Sequence, residues 1–196
     1  MSDRQSLRQL VRERRRALTP AEQQVAARQL LAQCQQHPRI GAARHIALYL
    51  ANDGELDTRP LIDWLWSQDK RVYLPVLHPF NPGHLLFLHY TATSPMTRNR
   101  FGIPEPEFDE LRLRPHTSLD ILCTPLVAFD ATGNRLGMGG GYYDRTLTRW
   151  QSHQEGPLPL GIAHDCQQVE TIPCESWDVP LPEIITPSRR WCFEAR

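Results

Sequence analysis

The sequence predicts an α/β fold, a three-layer, Rossmann-like arrangement in which a mostly parallel sheet is flanked by helices, with a helical segment at the N-terminus. Three observations predict it. Apolar, β-type runs at 45–50 and 71–77 bracket a helix-like run, and the same order recurs at 121–127, 142–152 and 158–163. Strand, helix, strand in that sequence requires parallel pairing through a right-handed crossover. Apolar residues fill 40% of the 196 positions and charged residues 22%. A chain of that size suits a single domain, here residues 1–196, burying roughly 70% of its unfolded surface. Finally, four glycines at 137, 139, 140 and 141 stand between a strand-like and a helix-like run, at the strand ends where open α/β sheets carry ligands.

The elements follow in order. Leu7, Leu10, Val11, Arg14 and Leu18 recur at helical spacing, so residues 3–17 read as a basic amphipathic helix. Thr19-Pro-Ala-Glu22 has the form of a capping box with proline at the first helical position, opening a second helix to about residue 36. A strand at 45–50 is followed by an Asn-Asp-Gly turn at 52–54 and a helix from Thr58-Arg-Pro60 to about residue 68. The strand at 71–77 comes next. Residues 85–90 form a further strand, antiparallel because its connection is short. A proline-rich loop is expected over 91–107. The strand at 121–127 leads into the glycines and the 142–152 helix, then a strand at 158–163 and two short strands at 183–186 and 190–193.

Twenty-two basic side chains balance 22 acidic ones, which argues against nucleic acid or an anionic membrane as the main partner. Five cysteines, at 34, 123, 166, 174 and 192, form no CxxC pair, so neither a disulfide framework nor a zinc site is expected. Cys123 lies in an apolar run and reads as a small buried hydrophobe. The N-terminal Met-Ser-Asp-Arg-Gln lacks a signal core, and no apolar run is long enough to span a bilayer. A cytoplasmic monomer acting on small molecules is the expectation.

The segment Arg135-Leu-Gly-Met-Gly-Gly-Gly-Tyr-Tyr-Asp-Arg145 carries the chemistry. Glycines between a strand and a helix turn backbone N–H groups toward a ligand, and the helix N-terminus adds partial positive charge. Arg135 and Arg145 suit phosphate oxygens, and Asp144 suits Mg²⁺. No Gly-Lys-Ser/Thr follows, so this is no Walker A loop, and its spacing is not GxGxxG. A plain tight turn would need the glycines but not two arginines and an acid. The acidic cluster at 53, 55 and 57 could bind a metal or substrate amines, though a solvated turn capping the next helix through Asp57 or Thr58 explains it as well. Arg12, Arg14, Arg15 and Arg16 read as a solvated helix face. Arg4 and Arg8 lie one turn apart and could reach a polyphosphate. His164-Asp165-Cys166 has no oxyanion hole to support a cysteine nucleophile. Phe101, Tyr142, Tyr143, Trp150 and Trp177 could stack on a flat ligand or belong to the core.

With Asn134-Arg-Leu-Gly-Met-Gly-Gly-Gly-Tyr-Tyr-Asp-Arg145 in this setting, the chain resembles the 5-formyltetrahydrofolate cyclo-ligases, also called 5,10-methenyltetrahydrofolate synthetases. The resemblance spans essentially the whole chain, including Asp53-Gly-Glu-Leu-Asp57, Arg100-Phe-Gly-Ile-Pro-Glu-Pro106, Pro125-Leu-Val-Ala-Phe-Asp130 and Trp177-Asp-Val-Pro-Leu-Pro182. It implies closure of 5-formyltetrahydrofolate to 5,10-methenyltetrahydrofolate with MgATP, releasing ADP and phosphate. It further implies that Arg4 and Arg8 meet ATP phosphates, and that Arg135, Leu136, Gly137, Met138, Gly139, Gly140, Gly141, Tyr142 and Tyr143 wrap the nucleotide. Met138, Gly139, Gly140, Gly141 and Tyr142 would also lie against the folate. Asp144 and Asp178 would hold Mg²⁺, Glu55 would grip the pterin, and Leu50 and Phe101 would wall the folate. Arg135, Arg145 and Asp144 would be catalytic. Arg4 stands where relatives often have lysine, and Met138 and Gly140 where some have basic residues. Rival readings are a nucleotide-independent sugar-phosphate isomerase or deaminase, and a non-catalytic folate- or RNA-binding module.

Overall fold

The structure, a computed structural model, describes residues 3–193. Asp3 caps helix α1 (Arg4–Arg16) by accepting the N–H groups of Gln5 and Ser6. Thr19 and Glu22 cap each other reciprocally at the start of α2 (Pro20–Gln35). A five-residue helix, α3 (Pro38–Ala42), follows, with His37 Nδ1 accepting two of its first N–H groups. The chain then runs through β1 (His45–Ala47), α4 (Arg59–Ser67), β2 (Arg71–Leu77) and β3 (Leu85–Tyr90). Next come a hairpin of β4 (Met96–Arg98) and β5 (Pro104–Pro106), the two-residue β6 (Leu113–Arg114), and β7 (Ile121–Pro125). A second hairpin, β8 (Ala128–Phe129) with β9 (Arg135–Leu136), precedes α5 (Tyr142–His153). Strands β10 (Leu158–Ile162), β11 (Glu183–Ile185) and β12 (Arg190–Cys192) complete the chain.

Eight strands form the main sheet in the order β12-β11-β10-β7-β1-β2-β3-β6. The five from β11 to β2 are parallel, while β12 and β3 run antiparallel to their inner neighbours. Both expected strand–helix–strand units are present, β1–α4–β2 and β7–α5–β10. The three layers follow from alternation along the strands. Ile46, Val72, Leu74, Ile121 and Cys123 pack with Leu30, Leu61 and Leu65 of α2 and α4 on one face. Ala47, Tyr73 and Leu122 pack with Leu147 of α5 on the other. Helix α1 lies apart, burying Leu7 and Val11 against Val127, Ala128, Leu136 and Ile172.

Several expectations are corrected. The strand expected over 45–50 pairs as a strand only to Ala47; Leu48 still donates to Tyr73 O, and the chain then leaves the sheet toward the turn at 52–55. The 91–107 segment is not all loop but contains the β4–β5 hairpin. The apolar run 121–129 is two strands. Pro125 ends β7, and Asp130 folds the chain back: its Oδ1 accepts the N–H groups of Thr132 and Asn134, and its Oδ2 accepts Asn134 Nδ2 and the Ile172 N–H. The glycine loop therefore follows β9 rather than a strand of the main sheet. The arginines of α1 are only partly a solvated face: Arg14 is exposed, but Arg12, Arg15 and Arg16 converge on Asp53, with Arg15 buried. Thr58 is the N-cap residue of α4 but its Oγ1 donates to Tyr49 O; of the two expected capping side chains it is Asp57 whose Oδ1 accepts a helical N–H, that of Arg59.

Candidate active site

The parallel strands end in a cavity of about 820 Å³. It is lined by the ends of β1, β2 and β7, the tip of the β4–β5 hairpin, the glycine loop and two segments from opposite ends of the chain, Arg4 to Arg15 and Glu175 to Asp178. At one end lies the glycine loop. Gly139 and Gly141 have positive φ, 102° and 68°, which only glycine adopts without strain. No hydrogen bond within the described residues is donated by the backbone N–H of Gly137, Met138, Gly139, Gly140 or Gly141. Two loop carbonyls are engaged: Arg8 Nε donates to Gly137 O at 2.8 Å and Arg145 Nη1 to Gly140 O at 2.8 Å. Gly141 is the N-cap of α5 and supplies no side-chain cap, so the first helical N–H groups are open as well. Five consecutive donors, an uncapped helix N-terminus and Arg8 make a cradle for an anion such as phosphate.

Arg135 lines this end and is 4% exposed. Its Nη2 donates to Asp144 Oδ1, and its Nε has no partner within the described residues. Burial pulls its pKa down, and the neighbouring Asp144 and Asp178 counter that. A buried N–H without an acceptor is costly, and an anionic ligand in the cavity would satisfy it. Arg4 makes a two-pronged ion pair with Asp178. Burial raises the Asp178 pKa, but the Arg4 bond and the Glu175 N–H outweigh it and hold the carboxyl below its ordinary value. Asp144 Oδ1 also accepts the Val179 N–H at 3.1 Å, which brings the Asp144 and Asp178 segments together.

The other end is apolar. Leu50, Leu74, Pro75, Leu85, Ile103 and Pro125 line it. The hairpin tip reaches over from the side, with Phe101 edge-on to Tyr142 at 6.5 Å and Arg100 Nη2 donating to the Tyr142 hydroxyl at 2.8 Å. Glu105, whose Oε2 accepts the Leu77 N–H, and Glu55 also line the cavity. Burial pushes the Glu55 pKa up to about 7, with the Asn52 N–H and Arg15 pulling the other way. Burial likewise raises the Tyr143 phenol.

Most of the residues singled out from sequence come together here: Arg4, Arg8, Leu50, Glu55, Phe101, Arg135, Gly137, Met138, Gly139, Gly140, Gly141, Tyr142, Tyr143, Asp144 and Asp178 all line the cavity. Two do not. Leu136 is fully buried among Leu7, Val11 and Ile172. Arg145 sits behind the loop, bonded to the carbonyls of Gly83 and Gly140. The His164–Cys166 pair lies outside the lining, and burial raises the Cys166 thiol away from the thiolate a nucleophile needs. Sequence reasoning gave no ligand role to Arg15, Asn99 or Glu105, all of which line the cavity, as does Asp53 of the acidic cluster. For Arg15 a signal existed: Leu7, Val11 and Arg15 are spaced four apart, so the arginine continues the buried stripe.

No cluster of three or more His, Cys, Asp or Glu side chains exists among the described residues to hold a metal unaided. Two adjoining carboxylates beside a phosphate cradle nevertheless fit Mg²⁺, which is usually bound by one or two carboxylates together with substrate phosphates.

Fold and site thus define an α/β protein with an anion-binding glycine loop at one end of a ligand cavity and an apolar, acid-bearing pocket at the other. The profile of the 5-formyltetrahydrofolate cyclo-ligase family matches residues 1–187. The chain is 53% identical to the 5-formyltetrahydrofolate cyclo-ligase of Escherichia coli (strain K12) over 182 residues, covering 93% of this chain and 99% of that one. It is 50% identical to the Haemophilus influenzae enzyme of the same name, covering 93% and 96%. The structure of Aquifex aeolicus 5,10-methenyltetrahydrofolate synthetase superposes with a TM-score of 0.82 at 27% identity, over 98% of this chain and 94% of that one. The chain belongs to the 5-formyltetrahydrofolate cyclo-ligase family.

Proposed function

We propose that this protein converts 5-formyltetrahydrofolate to 5,10-methenyltetrahydrofolate at the expense of ATP, releasing ADP and phosphate, and that residues 1–196 act as one domain. One observation carries the reading: a single cavity joins five open backbone N–H donors and a buried arginine to an apolar pocket bearing Glu55. Triphosphate and folate can therefore meet without either leaving the protein's cover.

The formyl group is an amide, and its oxygen is a poor leaving group. Attack of that oxygen on the terminal phosphorus breaks the bond to ADP and makes the oxygen part of a phosphate ester. N10 then attacks the activated carbon, the carbon–oxygen bond breaks, and inorganic phosphate leaves with the proton lost from N10. Such a transfer needs in-line positioning and charge neutralisation more than a protein nucleophile. The glycine loop and α5 would cradle the phosphates; Arg8 and Arg135 would meet the charge that develops on the transferring group. Arg4, freed from Asp178, would add to them. Arg145 would act from behind by holding the loop's shape. Asp144 and Asp178 would hold Mg²⁺, which neutralises phosphate charge when bound. Leu50, Phe101 and Tyr142 would wall the folate ring, and Glu55 would accept from the N–H groups of the pterin. Between the walls, exclusion of water protects the phosphorylated intermediate from hydrolysis.

No helix among the described residues is long and apolar enough to cross a membrane. Action on small molecules in the cytoplasm is part of the same proposal, in keeping with a sequence whose five cysteines form no CxxC pair. The test mixes purified protein with 5-formyltetrahydrofolate and MgATP and follows the near-ultraviolet absorbance of the methenyl product. Product formation that stops when either nucleotide or metal is omitted supports the reading. Turnover without nucleotide, or none with all components, would overturn it.

A further inference from the structure

We propose that Arg15 and Asp53 are positioning residues for the folate end of the cavity: together they lock the turn at 52–55 onto α1 and so fix where Glu55 presents its carboxylate. The proposal rests on the folate reading of that pocket and goes beyond it in assigning the arginine cluster of α1 a part in substrate recognition.

Arg15 is 1% exposed, and a buried guanidinium is destabilising unless its donors are matched. Here they are. Nε donates to Asp53 O at 2.7 Å, Nη2 to Asp53 Oδ2 at 3.0 Å and Nη1 to Leu126 O at 3.4 Å. Arg12 Nε adds a bond to Asp53 Oδ2 at 2.7 Å, and Arg16 pairs with Oδ1. One carboxylate is thus held by three arginines from a single helix. Asp53 sits at φ 54°, a left-handed conformation uncommon outside glycine, asparagine and aspartate, and the three arginines hold its side chain there. Gly54 follows at φ 75°, and a Cβ on it would meet Arg15 O at 3.2 Å; the turn lies directly on the helix backbone. Within the turn, Glu55 N–H donates to Asn52 O at 3.1 Å and Asn52 N–H donates to Glu55 Oε2 at 2.9 Å. The Glu55 carboxylate is therefore oriented by the turn, and the turn by Arg15.

Arg15 also acts on Glu55 through charge. The charged and titratable groups facing Glu55 are Arg15 from α1, Asp53 from its own turn, Tyr49 from the segment after β1, Tyr143 from α5, and His164 beyond β10. Arg15 is the cation in that set whose influence favours the ionised carboxylate that pterin N–H groups need. Because α1 carries Arg4 and Arg8 toward the nucleotide end, general damage to the helix would weaken ATP and folate alike. Loss of positioning at the turn weakens folate alone.

The experiment measures KM for 5-formyltetrahydrofolate and for MgATP separately, over pH 5.5–9, in the wild type and in folded Asp53→Asn, Arg15→Met and Arg15→Lys variants, with thermal melts run on each. Asp53→Asn and Arg15→Met should raise the folate KM about tenfold, the scale of a displaced binding group, while the ATP KM stays within about twofold. In Arg15→Met the acidic limb of kcat/KM for folate should move up by about one pH unit, since removing a cation makes Glu55 harder to ionise. Arg15→Lys should recover part of both effects. Should Arg15→Met fail to fold, Asp53→Asn decides the matter, because Asp53 is partly exposed. An unchanged folate KM in folded Asp53→Asn, or equal rises in both KM values, overturns the proposal. Absence of turnover in the wild type would instead overturn the cyclo-ligase reading, and this inference with it.

Discussion

Asp144→Asn should destabilise the protein measurably, apart from any effect on turnover. Arg135 is 4% exposed and Asp144 about one-fifth exposed, and Asp144 is the only ion-pair partner of Arg135 among the described residues. The amide keeps an acceptor oxygen but removes the charge, leaving the buried guanidinium with only Asp178, itself paired with Arg4, to offset it. Removing one partner of a buried pair typically costs about 3–5 kcal/mol. Solvent reaches Asp144 through the cavity, which places the expected loss near the lower end, about 3 kcal/mol. For a chain of this length each kcal/mol lowers Tm by about 2–4 °C, so the melting point should fall by about 6–12 °C. Circular dichroism during a thermal scan reads this directly. The double variant Arg135→Met/Asp144→Asn should regain most of the loss, because two apolar or neutral groups of similar volume carry no buried charge. Tripolyphosphate, an anion for the glycine cradle, should raise the melting point of the single variant more than that of the wild type. A Tm within about 2 °C of wild type, or a double variant less stable than Asp144→Asn alone, would refute the claim that this pair neutralises a buried charge.

Other expectations are as direct. Arg135→Met should lower kcat for methenyl formation by about 10²-fold or more, and a folded variant with wild-type kcat would remove Arg135 from the transition state. Glu55 has its pKa raised by burial to about 7; its contribution to stability is full below the ordinary glutamate range and lost as pH rises through about 7. Glu55→Gln should therefore match the wild type in stability near pH 4.5 but exceed it by on the order of 2–3 kcal/mol at pH 8.5, while raising the folate KM; denaturant titrations at the two pH values check it. A Cβ on Gly161 would sit 2.7 Å from Ile184 and Leu181 side-chain atoms, so Gly161→Ala should cost about 1–3 kcal/mol by overpacking, read as a lower denaturation midpoint. Thr19→Ala breaks the capping box of α2 and should cost about 1 kcal/mol, with activity unchanged.

Much of this was legible in the sequence, for identifiable reasons. Strand and helix periodicities placed both β–α–β units, because apolar runs such as Ile121 to Cys123 bury alternately on two helical layers. The glycine loop was legible because positive φ demands glycine and phosphate demands donors. What sequence could not show was pairing across long separations. The four-residue spacing of Leu7, Val11 and Arg15 hints at burial, but what balances the buried charge shows only when Asp53 is placed against it, 38 positions away. Arg145 sits beside the loop in sequence yet faces its back, since α5 turns the side chain toward Gly83. The β8–β9 hairpin was hidden because Pro125 and Asp130 interrupt a run whose hydrophobicity alone is continuous. Asp144 was legible as an acid near the phosphate cradle, but its second task, balancing buried Arg135, appears only when the two are side by side.

Helix α1 is translated before the groups it packs on, and all of them except Asp53 lie in the second half of the chain. Its arginines reach Asp53, Leu126, Gly137 and Asp178, and Leu7 and Val11 are covered only once Ile172 is in place. A nascent chain stalled midway thus carries a cationic helix with a bare apolar stripe, the kind of surface that invites chaperones or aggregation. Ligand competence therefore waits until Asp178, 174 positions downstream of Arg4, closes on the helix.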